Sequence, residues 1–165
     1  MDIIIRQAEQ KDLASIVTIY NQAIATKIST AETIPVTAEN KQSWFDEHQN
    51  EKFPLLVAEY NKEVIGWISL SAYRKGRQAL QHIGEVSYYI HHNHLQKGLG
   101  SKLMNAMIEK AKELGYKNLI AIIIDANTAS VGLLNKFGFE KWGLIPGIIE
   151  MEGIVHDHGY YGRKI

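Results

Sequence analysis

Apolar and polar positions alternate along the chain with two different periods. Ile3 to Ile5 form a short apolar run, and behind Asp12 the residues Leu13, Ile16, Val17, Tyr20 and Ile24 recur at helical spacing. The pattern predicts a first strand, then a first helix with Asp12 as its cap. Thr37 to His48 reads as a second helix that starts at Thr37 and turns Trp44 and Phe45 inward, and Pro35 holds the approach to it extended. "FPLLVAEY" and "EVIGWISLSAY" are β-rich runs joined by "NK", a hairpin pattern. Glu85 to Ile90 alternates, with Glu85, Ser87 and Tyr89 on one face and Val86, Tyr88 and Ile90 on the other. From Ser101, the residues Leu103, Met104, Met107, Ile108, Ala111 and Leu114 keep the i, i+3, i+4 rhythm up to Gly115, which closes a third helix. "NLIAIII" reads as a buried strand. A helix over about Thr128 to Phe137, closed by Gly138, precedes two strands near "FEKWGL" and "HDHGYYGRKI". The sum is an α+β fold, a mixed sheet with helices, in one domain spanning residues 1–165.

Composition narrows the function classes. Lysine plus arginine equals aspartate plus glutamate at 18 each, so no excess charge draws the whole surface to nucleic acid or to an anionic membrane. No stretch approaches the 18 apolar residues of a membrane span, and nothing at the N-terminus resembles a secretion signal. With no cysteine, disulfides, thiolate zinc sites and cysteine nucleophiles are excluded. A cytoplasmic location is the expectation.

The chemistry concentrates at "HLQKGLGSKL", His94 to Leu103, between a predicted strand and a predicted helix. Gly98 and Gly100 let the backbone turn tightly and present bare N–H groups at the positive end of the helix starting near Ser101, an anion cradle. A plain strand-to-helix turn would also use two glycines. A Walker loop is excluded because the lysine follows Ser101 instead of Gly100, and a dinucleotide fingerprint is disfavoured by Leu103 where a third glycine or alanine belongs.

"LQKGLG" after a strand resembles the pyrophosphate loop of the GNAT superfamily of N-acetyltransferases, matching at Gly98 and Gly100 and departing at Leu95, where that family has glutamine or arginine. Within the superfamily the chain most resembles the phosphinothricin or methionine-sulfoximine acetyltransferase group, through "YRKGRQALQHIGEVSYYIHHNHLQKGLGS", "IYNQAI", "NTASVGLLNKFGF" and "KWGLIPGIIEMEGIVHD". The resemblance implies a mostly antiparallel central sheet flanked by about four helices, and acetyl-CoA as co-substrate. The pyrophosphate is then expected on the loop of Gln96, Lys97, Gly98, Leu99, Gly100 and Ser101. Tyr88, Tyr89 and Ile90 pair with the pantetheine amides as a pseudo-strand, and Asn127, also a natural N-cap, bonds the CoA arm. A bulge in the same strand supplies an N–H to the thioester oxygen.

Glu85 is the candidate general base, because the resembled family places a glutamate at this strand position and a carboxylate near the sheet centre can be desolvated enough to accept a proton, directly or through water; the alternatives are a solvated glutamate or a salt bridge to Arg77. Tyr73, Arg74, Arg77, Glu85, Val86 and Ser87 match the group's acceptor-binding segment, where a guanidinium grips an amino-acid carboxylate bidentately. Thr30 to Glu32 is expected as the opposite wall. Leu134 stands where the family often has tyrosine or histidine, so the CoA thiolate needs another proton source. The clusters "HHNH" (His91 to His94) and "HDH" (His156 to His158) raise a metal reading, but no metal is expected. His91 and His92 point to opposite faces if the strand continues, and by resemblance His156 and Asp157 line the acceptor pocket. The implied activity is acetylation of the α-amine of a small amino-acid analogue by a homodimer whose C-terminal region contributes to the interface. Acetylation of a peptide N-terminus or polyamine, or acetyl-CoA binding without turnover, are the competing readings.

Overall fold

The computed structural model describes residues 2–165. Its strands are β1 (Ile4–Gln7), β2 (Leu55–Tyr60), β3 (Glu63–Ala72), β4 (Ile83–Ile90), β5 (Asn118–Ile124), β6 (Glu140–Met151) and β7 (Ile154–Lys164). The helices are α1 (Leu13–Ala25), α2 (Ala38–Glu47), α3 (Leu99–Glu113) and α4 (Thr128–Lys136). Asn61 and Lys62 both take positive φ (51° and 67°), the conformation a two-residue hairpin turn needs to match the strand twist, and they join β2 to β3. The Thr37 hydroxyl accepts from the Asn40 N–H while the Asn40 side chain accepts from the Thr37 N–H, a capping box that starts α2. At the end of α3, Gly115 with φ 81° lets its own N–H reach the Lys112 carbonyl and the Tyr116 N–H reach that of Ala111.

The seven strands form one sheet in the order β1-β2-β3-β4-β5-β7-β6, antiparallel at every pairing except β4 with β5. This is the mixed, mostly antiparallel α+β architecture with four helices. Alternation along β2 sends Leu55 and Val57 to the face covered by α1 and α2, and Leu56 and Ala58 to the face covered by α3. Trp67 anchors the first face and donates its indole N–H to the Ile16 carbonyl at 3.1 Å.

Four local expectations are corrected. Asp12 precedes α1 but gives that helix no side-chain cap; its carboxylate accepts from Arg6 (2.6 Å) and from the Glu9 N–H (2.8 Å), closing a 3₁₀ turn over Gln10–Asp12. The third helix begins at Leu99, because Gly98 in the left-handed region (φ 77°) is already its N-cap. β5 is not buried throughout, since Ile122 and Ile123 are half-exposed. β6 continues well past Leu144 to Met151, and its pairing with β7 breaks between Ile145 and Ile149 around Pro146, which has no N–H for the ladder.

The feature that positions the site is the short contact between β4 and β5. They pair in parallel only from Ile83 to Glu85 against Asn118 to Ile120. β4 runs on to Ile90 with its other edge bonded to β3, so beyond Glu85 the sheet opens into a V.

Candidate active site

A cleft of about 390 Å³ occupies this V. Tyr88, Tyr89 and Ile90 form one wall, Gln96, Gly98, Leu99, Gly100 and Ser101 the floor, and Asn127 the α4 side. The first backbone hydrogen bond of α3 runs from the Lys102 N–H to the Gly98 carbonyl (3.2 Å), so the preceding amides point outward from the helix start. A Cβ built on Gly100 would lie 2.9 Å from Leu133 Cδ2 and 3.3 Å from Ile90 Cδ1. A side chain at Gly100 would therefore have to displace the flexible end of Leu133, while Gly98 is needed for its φ of 77°. Lys97, named with this loop, lies outside the cleft lining and donates its ammonium to the Asn93 carbonyl at 2.8 Å. The Lys136 ammonium donates to the Ser101 hydroxyl at 2.9 Å and adds a positive charge beside the loop that sequence reasoning missed.

Anion-facing amides, a β4 edge without a strand partner and apolar walls at Ile90 and Leu133 suit a long ligand with a phosphate end and an amide-bearing arm. β4 pairs with β3 in unbroken register, so the expected bulge is absent from it; the register shift lies in β2 at Ala58/Glu59. The splay itself already frees main-chain groups of β4 for a ligand. Also missed from sequence are Gln22, Thr26 and Ser29, at and beyond the end of α1, and Ser130 and Leu133 of α4. Their polar spacing near "NQAIATKIS" resembles any fraying helix end, so long-range packing alone reveals them.

Glu85 stands at the apex of the V. Cross-strand pairs Ser71↔Glu85, Ser69↔Ser87 and Trp67↔Tyr89 put these side chains on the α1/α2 face. Glu85 is half-buried and in no ion pair among the described residues, so neither the Arg77 bridge nor a fully solvated carboxylate describes it. Burial alone raises its pKa above the ordinary carboxylate value. Directly across, the Ser71 hydroxyl meets Nε2 of His48 at 3.0 Å. His48 Nδ1 lies 2.7 Å from the Trp44 carbonyl, which can only accept, so Nε2 carries the lone pair and Ser71 donates to it. His48 is 2% exposed, and burial lowers its pKa.

Further along this face Tyr20, Trp67 and Tyr89 pack as an aromatic wall, with Tyr20 edge-on to Tyr89 at 5.0 Å between ring centres. The Tyr20 hydroxyl lies 3.1 Å from the Thr30 hydroxyl, which ties the 30–32 segment to the wall. The Lys41 ammonium lies 4.6 Å from the Tyr20 ring centre and 5.3 Å from that of Trp44, and burial lowers its pKa.

The other named residues fall in different places. Tyr73 begins the β3–β4 connection with a long N–H contact to the Ile83 carbonyl (3.5 Å). Arg74 and Arg77 are exposed and line a separate depression with Lys52, Phe53 and Ala72, while Lys75 between them pairs with Glu47 at 2.7 Å. Val86 is 3% exposed in the α3-side core and offers a ligand only main chain; Ser87 is half-buried. Leu134 is 0% exposed in the same core. Asn127 caps α4, its side-chain oxygen accepting from the Ser130 N–H at 3.2 Å.

His156 and Asp157 lie on β7 outside the cleft lining, and the Asp157 carboxylate accepts from the Gly147 N–H (2.8 Å), holding the irregular stretch of β6. The strand stops at Ile90 and a 3₁₀ turn follows over His92–His94, so the His91 and His92 rings do not diverge but lie 4.5 Å apart. No group of three metal-ligating side chains occurs among the described residues.

The sequence profile of the Acetyltransferase (GNAT) family matches residues 16–139. YwnH of Bacillus subtilis (strain 168), provisionally named a phosphinothricin acetyltransferase, is 43% identical over 162 residues, covering 98% of each chain. The L-methionine sulfoximine/L-methionine sulfone acetyltransferase of Pseudomonas aeruginosa is 35% identical over 149 residues, 90% of this chain and 86% of its own. The crystal structure of a GNAT superfamily phosphinothricin acetyltransferase from Sinorhizobium meliloti, in complex with acetyl-CoA, superposes with a TM-score of 0.94 at 28% identity, covering all of this chain and 89% of the other. With the family profile over residues 16–139 and matches along nearly the full length standing beside the loop-to-helix cradle and the splayed strand pair of this chain, the protein is an acetyl-CoA-dependent acetyltransferase of the GNAT family.

Proposed function

We propose that residues 1–165 act as one unit that acetylates the α-amine of a small amino-acid analogue of the phosphinothricin or methionine-sulfoximine type, by direct transfer with Glu85 as general base. The observation that carries this is the carboxylate at the apex of the V: half-buried, outside any ion pair among the described residues, with its pKa raised by burial, on the strand whose later residues Tyr88 to Ile90 wall the cleft. Such a group takes a proton from an ammonium more readily than an ordinary carboxylate does. An α-ammonium must lose a proton before its lone pair can attack, and Glu85 receives it directly or through water.

The acceptor would lie on the α1/α2 face beside Ser69, Ser71 and the aromatic wall, its carboxylate held by Arg77 swinging in from the β3–β4 connection. The relatives named for methionine sulfoximine and phosphinothricin support the same acceptor class. The long β6–β7 hairpin exposes Trp142, Leu144, Ile145, Ile148, Ile154 and Val155, and an apolar patch of this kind supports the homodimer reading. Use of acetyl-CoA fits a cytoplasmic enzyme.

The test is thiol release from acetyl-CoA across a panel of phosphinothricin, methionine sulfoximine, a polyamine and a peptide N-terminus, with mass spectrometry of the products. Turnover confined to the first two and N-acetylated at the α-amine is expected. Turnover only with the peptide or polyamine would refute the acceptor class.

A further inference from the structure

Thioester aminolysis leaves a CoA thiolate, and Leu134, sealed in the core, has no proton to give. Tyr88 is placed differently. Its side chain leaves β4 on the face opposite Glu85, and its ring lines the cleft together with Asn127 and Ser130 of the opposite wall. It lies on the strand between the Glu85 apex and the glycine loop, so an arm running from one to the other passes it. Its hydroxyl makes one contact, to the Ser130 carbonyl at 3.5 Å, well beyond an ordinary O–H···O distance of about 2.7–2.8 Å. A hydroxyl in a half-buried cleft with so weak a partner is free to turn toward a better acceptor.

We propose that Tyr88 is the proton donor to the departing CoA sulfur, taking from β4 the task that position 134 on α4 cannot perform here. The inference rests on the acetyl-transfer reading of the cleft. Glu85 first receives one proton from the ammonium. As nitrogen bonds to the acetyl carbon the C–S bond breaks and its electron pair moves to sulfur; Tyr88 gives its hydroxyl proton to that sulfur. The new amide nitrogen sheds its second proton to water, and water returns a proton to the phenolate, restoring the tyrosine. Glu85 and Tyr88 project to opposite faces of β4, so the two proton transfers proceed on opposite sides of the reacting carbonyl. Burial pushes the Tyr88 phenol up to about 12, so it carries its proton throughout the neutral range.

The test is Tyr88→Phe, which keeps the ring and removes the hydroxyl. The single-turnover rate of acetyl transfer is expected to fall about 10²-fold, as for loss of a general acid, with acetyl-CoA affinity by calorimetry and the melting temperature unchanged. A second readout needs no acceptor: the thiol of bound CoA, followed by thiolate ultraviolet absorbance, should titrate about one unit lower in the parent than in Tyr88→Phe, because only the parent donates to the thiolate. Equal single-turnover rates, or equal thiol titrations, would overturn the assignment. Because the titration is independent of the acceptor, an error in the acceptor class leaves this test intact and shows itself in the acceptor panel instead.

Discussion

Gly100→Ala separates a cradle built for a ligand from a turn built for geometry. Gly100 is the second residue of α3, and an alanine there gains roughly 0.5–1 kcal/mol of helix stability over glycine. Against that, the new methyl would stand 2.9 Å from Leu133 Cδ2, where carbon atoms settle at about 3.5–4.0 Å, so Leu133 must move by about 0.6–1.1 Å. Overpacking of this kind costs about 1–3 kcal/mol if the neighbour stays. Leu133 is the far end of a flexible side chain lining the cleft, and its easiest displacement is into the space the ligand needs. The melting temperature should therefore change little, while the Kd for acetyl-CoA rises about tenfold, equivalent to about 1.4 kcal/mol. Calorimetric titration of the folded variant provides the number. Unchanged affinity would show that the pyrophosphate does not sit over Gly100.

Two further predictions concern the acceptor and the fold. Arg77→Ala should raise KM for methionine sulfoximine about tenfold and spare acetyl-CoA binding; identical steady-state kinetics would remove Arg77 from the site. His48, whose pKa burial lowers from its ordinary 6.5, binds protons less readily folded than unfolded, so its contribution is full above about pH 6.5 and is lost as the pH falls from there toward the folded pKa. Thermal melts between pH 7.5 and 5 should show a decline that is shallower in His48→Gln, and parallel declines would contradict this.

Much of the site could be read from local sequence because its determinants are local. Gly98 and Gly100 announce a tight approach to a helix start, and the alternation in "GEVSYYI" assigns Glu85 and Tyr88 to opposite faces without any tertiary information. The Asn61–Lys62 turn and the Thr37 cap were legible for the same reason. What remained hidden depends on distant partners. Nothing in "NLIAIII" tells that β5 stops pairing with β4 after Ile120, yet that stop creates the cleft. Asp12 reads as a helix cap until Arg6 and Glu59 are brought together, with Arg6 donating to both carboxylates. The partners of His48 likewise come from α2 and β3, and the motif around Leu134 gives no sign of the complete burial the fold imposes on it.

In the proposed reaction, Glu85 removes the proton that keeps the α-amine from attacking. Glu85→Gln preserves shape while abolishing the basic site, and the decisive measurement is the pH profile of kcat with saturating methionine sulfoximine. The parent should gain activity as Glu85 ionises, along a limb lying above the ordinary carboxylate value of 4.5 because burial raises it. The variant should be about 10²-fold slower at neutral pH, lack that limb, and recover as rising pH supplies free amine, with acetyl-CoA affinity intact. Superimposable profiles for the two proteins would contradict the account and leave Glu85 a structural residue.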